Sequence, residues 1–279
     1  MTTDHFFSPD PLAPGTRVAC RVAYNGSCYH GWQAQPHPDV STVQETLEEA
    51  LARILNQTVR VHCAGRTDTG VHGFGQIIHF DLPLARSPKA LTLGTNAQLP
   101  FNIRVHWAQA VSADFHARFS ATARRYRYIV ANTAIRPAHL QGQVSWYRHP
   151  LDAIRMDHAA QALLGEQDFT TFRAAACQSS SPNRNVHSVS VQRRGELIII
   201  DIKANAFLHH MVRNIAGSLL AVGSGRMPVG WLGELIAGRD RTQAADTAAP
   251  DGLYLVEVTY PEMFALPLTP QGPLLLSMY

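Results

Sequence analysis

The strongest constraint on this 279-residue chain is an order of hydrophobic periods that runs through it twice. Residues 16–24 alternate, with Val18, Cys20, Val22 and Tyr24 on one face, and predict a strand. Residues 42–56 change to a helical period, with Val43, Leu47, Ala50, Leu51, Ile54 and Leu55 on one stripe and Ser41 as the expected N-cap. Strands are expected at 58–64 and 76–82, Ser87-Pro88 opens a short helix, and IRVHWAQAV at 103–111 ends the half as a strand. The second half predicts a strand at 123–131, a helix at 152–164 and a hairpin of SVSVQ and ELIIIDI turning at Arg194-Gly195. A helix at 206–221, an extra helix at 229–237 and a strand at 252–260 complete it. Each half thus reads β-α-β-β-α-β, the order of a ferredoxin-like unit. No residue-level repeat accompanies the duplication, which is therefore architectural.

The expected fold is α+β: two ferredoxin-like halves sharing an extended antiparallel-rich sheet, helices on one face, and a central cleft at the seam that would take a ligand. Residues 1–15 (MTTDHFFSPDPLAPG) read as a disordered segment, 16–112 as the first half, 113–262 as the second and 263–279 as a tail. The N-terminus lacks a basic n-region and an apolar h-region, and no later run approaches the roughly 18 apolar residues that span a bilayer. A cytoplasmic protein without a membrane partner is the expectation. Four scattered cysteines with no C-x-x-C pair argue against a disulfide framework and a structural zinc site.

Charge is informative in its distribution. The net value is +3, yet between Arg104 and Arg148 there are seven arginines against one acid, Asp114. Lys89 and Lys203 are the only lysines, so the positive charge is almost all guanidinium, suited to phosphate contacts and to stacking on bases.

One acid stands out, Asp68 in CAGRTDTGVHG (63–73). Its Asp-Thr-Gly suggests an aspartic protease, but that chemistry needs two carboxylates sharing a proton. The tripeptide occurs once, and Arg66 would hold the acid ionised. A metal centre would have to draw on His62, Cys63, Asp68, His72 and His79, and consecutive strand residues 62 and 63 point to opposite faces. Neither H-x-x-x-H nor H-E-x-x-H occurs on a helix. An Asp that caps its own turn is the ordinary reading. Against it stands the density of Gly65, Gly70, Gly73 and Gly75, which allow unusual backbone angles and close ligand approach, beside the rigid fork of Arg66.

AGRTDTGVHG resembles the active-site loop of the pseudouridine synthases, specifically the tRNA pseudouridine synthase A family, whose pattern is close to G-R-T-D-A-G-V-H-A. YNGSCYHGWQ (24–33), FHARFSATARRYRY (115–128), GEQDF (165–169), NAFLHHMVRN (205–214) and APDGLYL (249–255) resemble that family in the same order, over roughly residues 17–262. Thr69 departs from the usual alanine and creates the misleading Asp-Thr-Gly; Gly73 replaces a common alanine. CQSSSPNRN (177–185) matches less tightly.

The resemblance implies the pseudouridine synthase fold and isomerisation of uridine to pseudouridine at positions 38, 39 and 40 of the tRNA anticodon stem-loop. It makes Asp68 the nucleophile, attacking C1′ or removing the C2′ proton, and Tyr126 the residue that stacks on the uracil. Taken alone, Tyr126 would be a core-facing strand aromatic, though alternation sets it with Tyr128 on one face. Arg213 lies off the apolar stripe of Phe207, Met211, Ile215 and Leu219 and would alone be a solvated arginine; the resemblance makes it the ion-pair partner of Asp68. By the same likeness Arg66 assists base flipping, Leu253 walls the uracil pocket, and RNA contacts fall to Arg86, Phe115, His116, Arg118, Phe119, Arg136, Cys177 and Gln178. It implies a homodimer, with no cofactor and no metal. A catalytically silent tRNA-binding or folding protein on the same scaffold is the alternative, and it would be expected to have lost the acid.

Overall fold

The structure, a computed structural model, describes residues 7–35 and 40–276. Its backbone forms two compact units, Met1–Thr122 with Leu255–Pro273 (unit 1) and Ala123–Tyr254 with Leu274–Tyr279 (unit 2).

In unit 1, β1 (Arg17–Tyr24) pairs antiparallel with β3 (His72–Asp81) and with β4 (Ile103–Ala110), Cys20 standing opposite Ile78 and Ala108. The two-residue β2 (His62–Cys63) pairs with the far side of β3, His62 opposite His79. Helix α1 (Val43–Leu55) lays Val43, Leu47, Leu51 and Leu55 into a core with Val18, Cys20, Val22, Ile78 and Phe80 of the sheet. Its N-cap is Thr42, not Ser41: the Thr42 hydroxyl accepts from Glu45 N at 3.3 Å and itself donates to the Glu45 carboxylate. The cap is therefore set by the Thr-x-x-Glu spacing rather than by the first hydroxyl in sequence.

Further expectations change in unit 1. The strand expected at 58–64 survives only as β2, and β3 begins at His72 rather than residue 76. The helix after Ser87-Pro88 is a π-helical turn, Ala90–Gly94, continuing into α2 (Thr95–Gln98). Residues 7–15 are tied to the body, Leu12 bridging to Arg86 and Gly15 N donating to Leu82 O at 2.7 Å; residues 1–6 of the segment expected to be disordered lie outside the described residues. Residues 113–122, set with the second half on sequence, pack within unit 1, where the Phe115 ring lies 5.1 Å from both Tyr260 and Phe264.

In unit 2 the order is β5 (Ala123–Ala131), β9 (Leu197–Ala204), β8 (Asn183–Arg194) and β7 (Gly165–Asp168), each antiparallel to the next, with β6 (Ser145–Trp146) parallel to β5. Gly195 takes φ +55 at the β8–β9 turn, as the Arg194-Gly195 hairpin requires. Helix α3 (Ala153–Ala160) is capped by Asp152, whose carboxylate accepts from Ile154 N and Arg155 N, and it packs against β8 and α4 (Met211–Gly223). Helix α4 starts five residues later than its period suggested, because His210 takes a left-handed φ of +61 and breaks the helical path. Helix α5 (Trp231–Gly238) follows. The last strand, β10 (Leu253–Thr259), gives its first two residues to unit 2 and the rest to unit 1, where it neighbours β3. The fold is α+β with mostly antiparallel strands, as expected.

Candidate active site

The Asp68 loop leaves β2 and returns as β3, and its neighbours hold it from both ends. Gln76, fully buried on β3, donates through Nε2 to Gly65 O at 2.6 Å, and Ala64 N donates to Ile77 O at 2.8 Å. At the tip, buried Thr67 shares a 2.8 Å hydrogen bond with the Tyr24 hydroxyl and accepts Trp32 N on its carbonyl at 3.0 Å. Asp68 O accepts from Val71 N at 3.1 Å, closing a turn in which Gly70 takes φ +80. The 26–31 segment packs so tightly on this loop that a Cβ on Gly31 would stand 2.8 Å from Thr67 O. His72 Nδ1 accepts from Gly26 N at 3.0 Å, which fixes that histidine as a structural acceptor. The result is a half-buried Asp68 between buried Thr67 and exposed Thr69, on a backbone with little freedom. Arg66 is exposed beside it.

The FHARF turn, also in unit 1, is divided in its roles. Phe115 is wholly buried, so its ring anchors the turn and offers no surface to a nucleic acid. His116 Nδ1 accepts from Arg118 N and Phe119 N, and its ring lies 4.3 Å from that of Phe119, which is 75% exposed with the Arg118 guanidinium 5.5 Å from its centre. A flat aromatic under a guanidinium suits stacked bases and phosphates. Behind it, His79 stacks on His62 at 5.0 Å and meets His116 at 4.5 Å. Burial, reinforced by His116, His62 and Arg17 against an opposing Asp81, pulls His79 down to about 4. Burial likewise lowers His116. Arg86 is half-buried, its Nε donating 2.7 Å to Ile54 O near the C-terminus of α1.

In unit 2, Tyr126 on β5 is nearly buried, with Phe207 edge-on at 5.0 Å. Arg213, in the first turn of α4, donates Nε to Ala248 O at 2.8 Å. Leu253 is 5% exposed at the start of β10. Arg136 is exposed and reaches Asp251 at 3.4 Å. Gln178 is exposed. For Cys177, burial raises the thiol, but N–H groups of Ser179 and His209 and the Arg173 guanidinium outweigh it and the pKa falls.

The seven-arginine window is less naked than its linear reading. Arg125 and Arg127 both grip Asp201 of β9 at 2.7 Å, and Arg136 pairs with Asp251, so three of the seven have acids that lie far along the chain. Cross-strand register, Arg127 opposite Asp201, is what brings the first of these together. Sequence reasoning passed over Thr67 and Asn214 as working residues. Both are wholly or nearly buried polar side chains, a signal visible only once burial is known.

A family model described as tRNA pseudouridine synthase matches residues 21–120 and 159–261, covering both the Asp68 loop and the α4 segment. The chain belongs to the tRNA pseudouridine synthase family. It is 56% identical, over 95% of its length and 98% of the relative's, to a protein of Enterobacter sp. (strain 638) named "tRNA pseudouridine synthase A". The identity is again 56%, over 95% and 97%, to a protein of the same name from Salmonella arizonae. A solved structure described as "Crystal Structure of a Cbf5-Nop10-Gar1 Complex" superposes with a TM-score of 0.31 at 10% identity over 85% of this chain and 57% of that one, too loosely to carry any argument. Among the described residues no helix is long and apolar enough to cross a membrane.

Proposed function

We propose that this chain isomerises uridine to pseudouridine in tRNA, at positions 38, 39 and 40 of the anticodon stem-loop. The observation that carries the reading is 56% identity across nearly the whole chain to proteins named tRNA pseudouridine synthase A, with a family-model match that spans residue 68. In the reaction the N1–C1′ bond breaks, the uracil turns while held, and C5 bonds to C1′. Atoms and electrons are conserved within one nucleotide, so neither redox cofactor nor water-activating metal is called for. A single carboxylate suits this, where a hydrolase would pair two to deliver water.

Asp68 is the nucleophile, at C1′ or at the C2′ proton. The rigid backbone on both sides of it favours one fixed approach to the sugar, which is where positional entropy is saved. Tyr126 stacks on the uracil and takes the C5 proton, Arg213 keeps the carboxylate ionised, and Leu253 walls the base. Arg66 assists the uridine out of its stack, a step that costs about a few kcal/mol. Arg118, Phe119 and His116 present the exposed platform for RNA, with Arg86, Arg136, Cys177 and Gln178 as further contacts and Phe115 holding the turn from behind. The protein acts as a homodimer in the cytoplasm.

The test is tritium release from 5-tritiated uridine in unmodified tRNA. Wild type should release tritium from the three sites; Asp68→Asn should release none while binding tRNA with unchanged affinity. Full release by Asp68→Asn would overturn the assignment, and no release by wild type would leave a tRNA-binding protein without this chemistry.

A further inference from the structure

Helix α4 is crossed within unit 2 by the segment Asp240–Ala249, and the crossing is made by polar groups rather than by apolar packing. Asn214, fully buried in the second position after Val212 on α4, is its centre. The Asn214 Oδ1 accepts from the Thr247 hydroxyl at 2.6 Å and from Arg241 at 3.2 Å, and its Nδ2 donates to Phe172 O at 2.8 Å. Arg241 also donates to Thr247 Oγ1 at 3.1 Å and to Ala245 O at 3.0 Å. One helical turn on, Gly217 leaves no room for a Cβ, which would run into the Asp246 carbonyl. The segment therefore lies directly on the helix backbone.

From this crossing two short paths lead to residues of the proposed site. Ala248 N donates to Arg213 O at 3.2 Å, and Arg213 Nε donates back to Ala248 O at 2.8 Å, so the helix residue and the crossing segment hold each other reciprocally. Next in the chain, Ala249 O accepts from the buried Tyr128 hydroxyl at 2.8 Å, and the turn Pro250–Gly252 delivers the chain to Leu253. Burial pushes the Tyr128 hydroxyl up to about 12, so it remains a donor at neutral pH.

We propose that Asn214, Thr247 and Tyr128 are positioning residues: they pin the 240–249 strap so that the Ala248 carbonyl orients the Arg213 guanidinium and Leu253 enters its strand at a fixed place. A guanidinium has five donors in a fixed fork, so anchoring Nε to one carbonyl decides where the remaining N–H groups point. None of the three touches substrate; each acts through Arg213 or Leu253. The inference rests on the role of Arg213 given under the proposed function.

The experiment measures single-turnover tritium release and tRNA dissociation constants for Thr247→Val, Thr247→Ser, Arg213→Lys and the pair Thr247→Val with Arg213→Lys. Thr247→Val keeps the shape and loses the donor; it should slow turnover about tenfold with affinity within about twofold of wild type, while Thr247→Ser restores the rate. Arg213→Lys retains a charge but not the anchored fork, and in that background Thr247→Val should add nothing. A wild-type rate for Thr247→Val, or costs that multiply in the pair, would overturn the strap. If Thr247→Val does not fold, as judged by thermal unfolding, Tyr128→Phe makes the same test from the other side. A wild-type rate for Arg213→Ala would instead remove the role of Arg213 itself, which separates the two failures.

Discussion

The Asp68 loop and the α4 crossing are held in place by opposite means. In unit 1 the grip is mostly backbone on backbone: Trp32 N on Thr67 O, Ala64 N on Ile77 O, and the close approach of Gly26 and Gly31 to the loop. In unit 2 it is one buried amide, Asn214, gathering a hydroxyl and a guanidinium from the 240–249 segment and a carbonyl from Phe172. A backbone grip tolerates side-chain change but no added bulk. A side-chain grip tolerates bulk nearby but not the loss of its central group.

That contrast can be broken by substitution. Gly26→Ala places a Cβ against the Val71 carbonyl, which is main chain and cannot swing away. It should destabilise unit 1 by about 3 kcal/mol, read as a fall in its thermal unfolding midpoint. Asn214→Ala leaves Arg241, Thr247 and the Phe172 carbonyl seeking partners in a buried place and should cost about 2 kcal/mol in urea unfolding. An equal loss from Asn214→Ala and Asn214→Asp would deny the amide its special place. Thr67→Val, which removes only the hydroxyl shared with Tyr24, should cost about 1 kcal/mol, because the loop keeps its main-chain bonds.

The mildest effect is acid sensitivity in unit 1. His79 falls to about 4 from an ordinary 6.5, first because burial disfavours the cation, so the folded state prefers the neutral ring. Its contribution is full above pH 6.5 and is lost as pH falls toward 4, where the unfolded chain binds the extra proton. The unfolding midpoint should decline across that window, and His79→Gln should flatten part of the decline; an unchanged slope would sink the assignment.

Local patterns made the α+β class and most elements legible. β5 at 123–131 matches its expectation residue for residue, because ARRYRYIVA carries both alternation and β-formers. The errors lie where tertiary contacts override local ones. The five residues before α4 look helical, but His210 turns left-handed. β6 and β7, of two and four residues, are too short for a period and exist only because β5 and β8 offer edges. Of the site, the contiguous AGRTDTGVHG loop could be read directly, whereas Asn214, Arg241 and Thr247 have no common motif and meet only in space. Phe115 shows the reverse: a motif residue whose ring is wholly buried.

Unit 1 is built from residues up to Thr122 and again from Leu255–Pro273, with Ala123–Tyr254 of unit 2 between them. On the ribosome, the Asp68 loop therefore emerges early yet sits in a half-made body until β10 arrives beside β3. The intervening unit must be synthesised first, and a nascent chain released before Leu253 would expose the β3 edge to any other strand at hand. Completion of the surroundings of the Asp68 loop thus waits on β10.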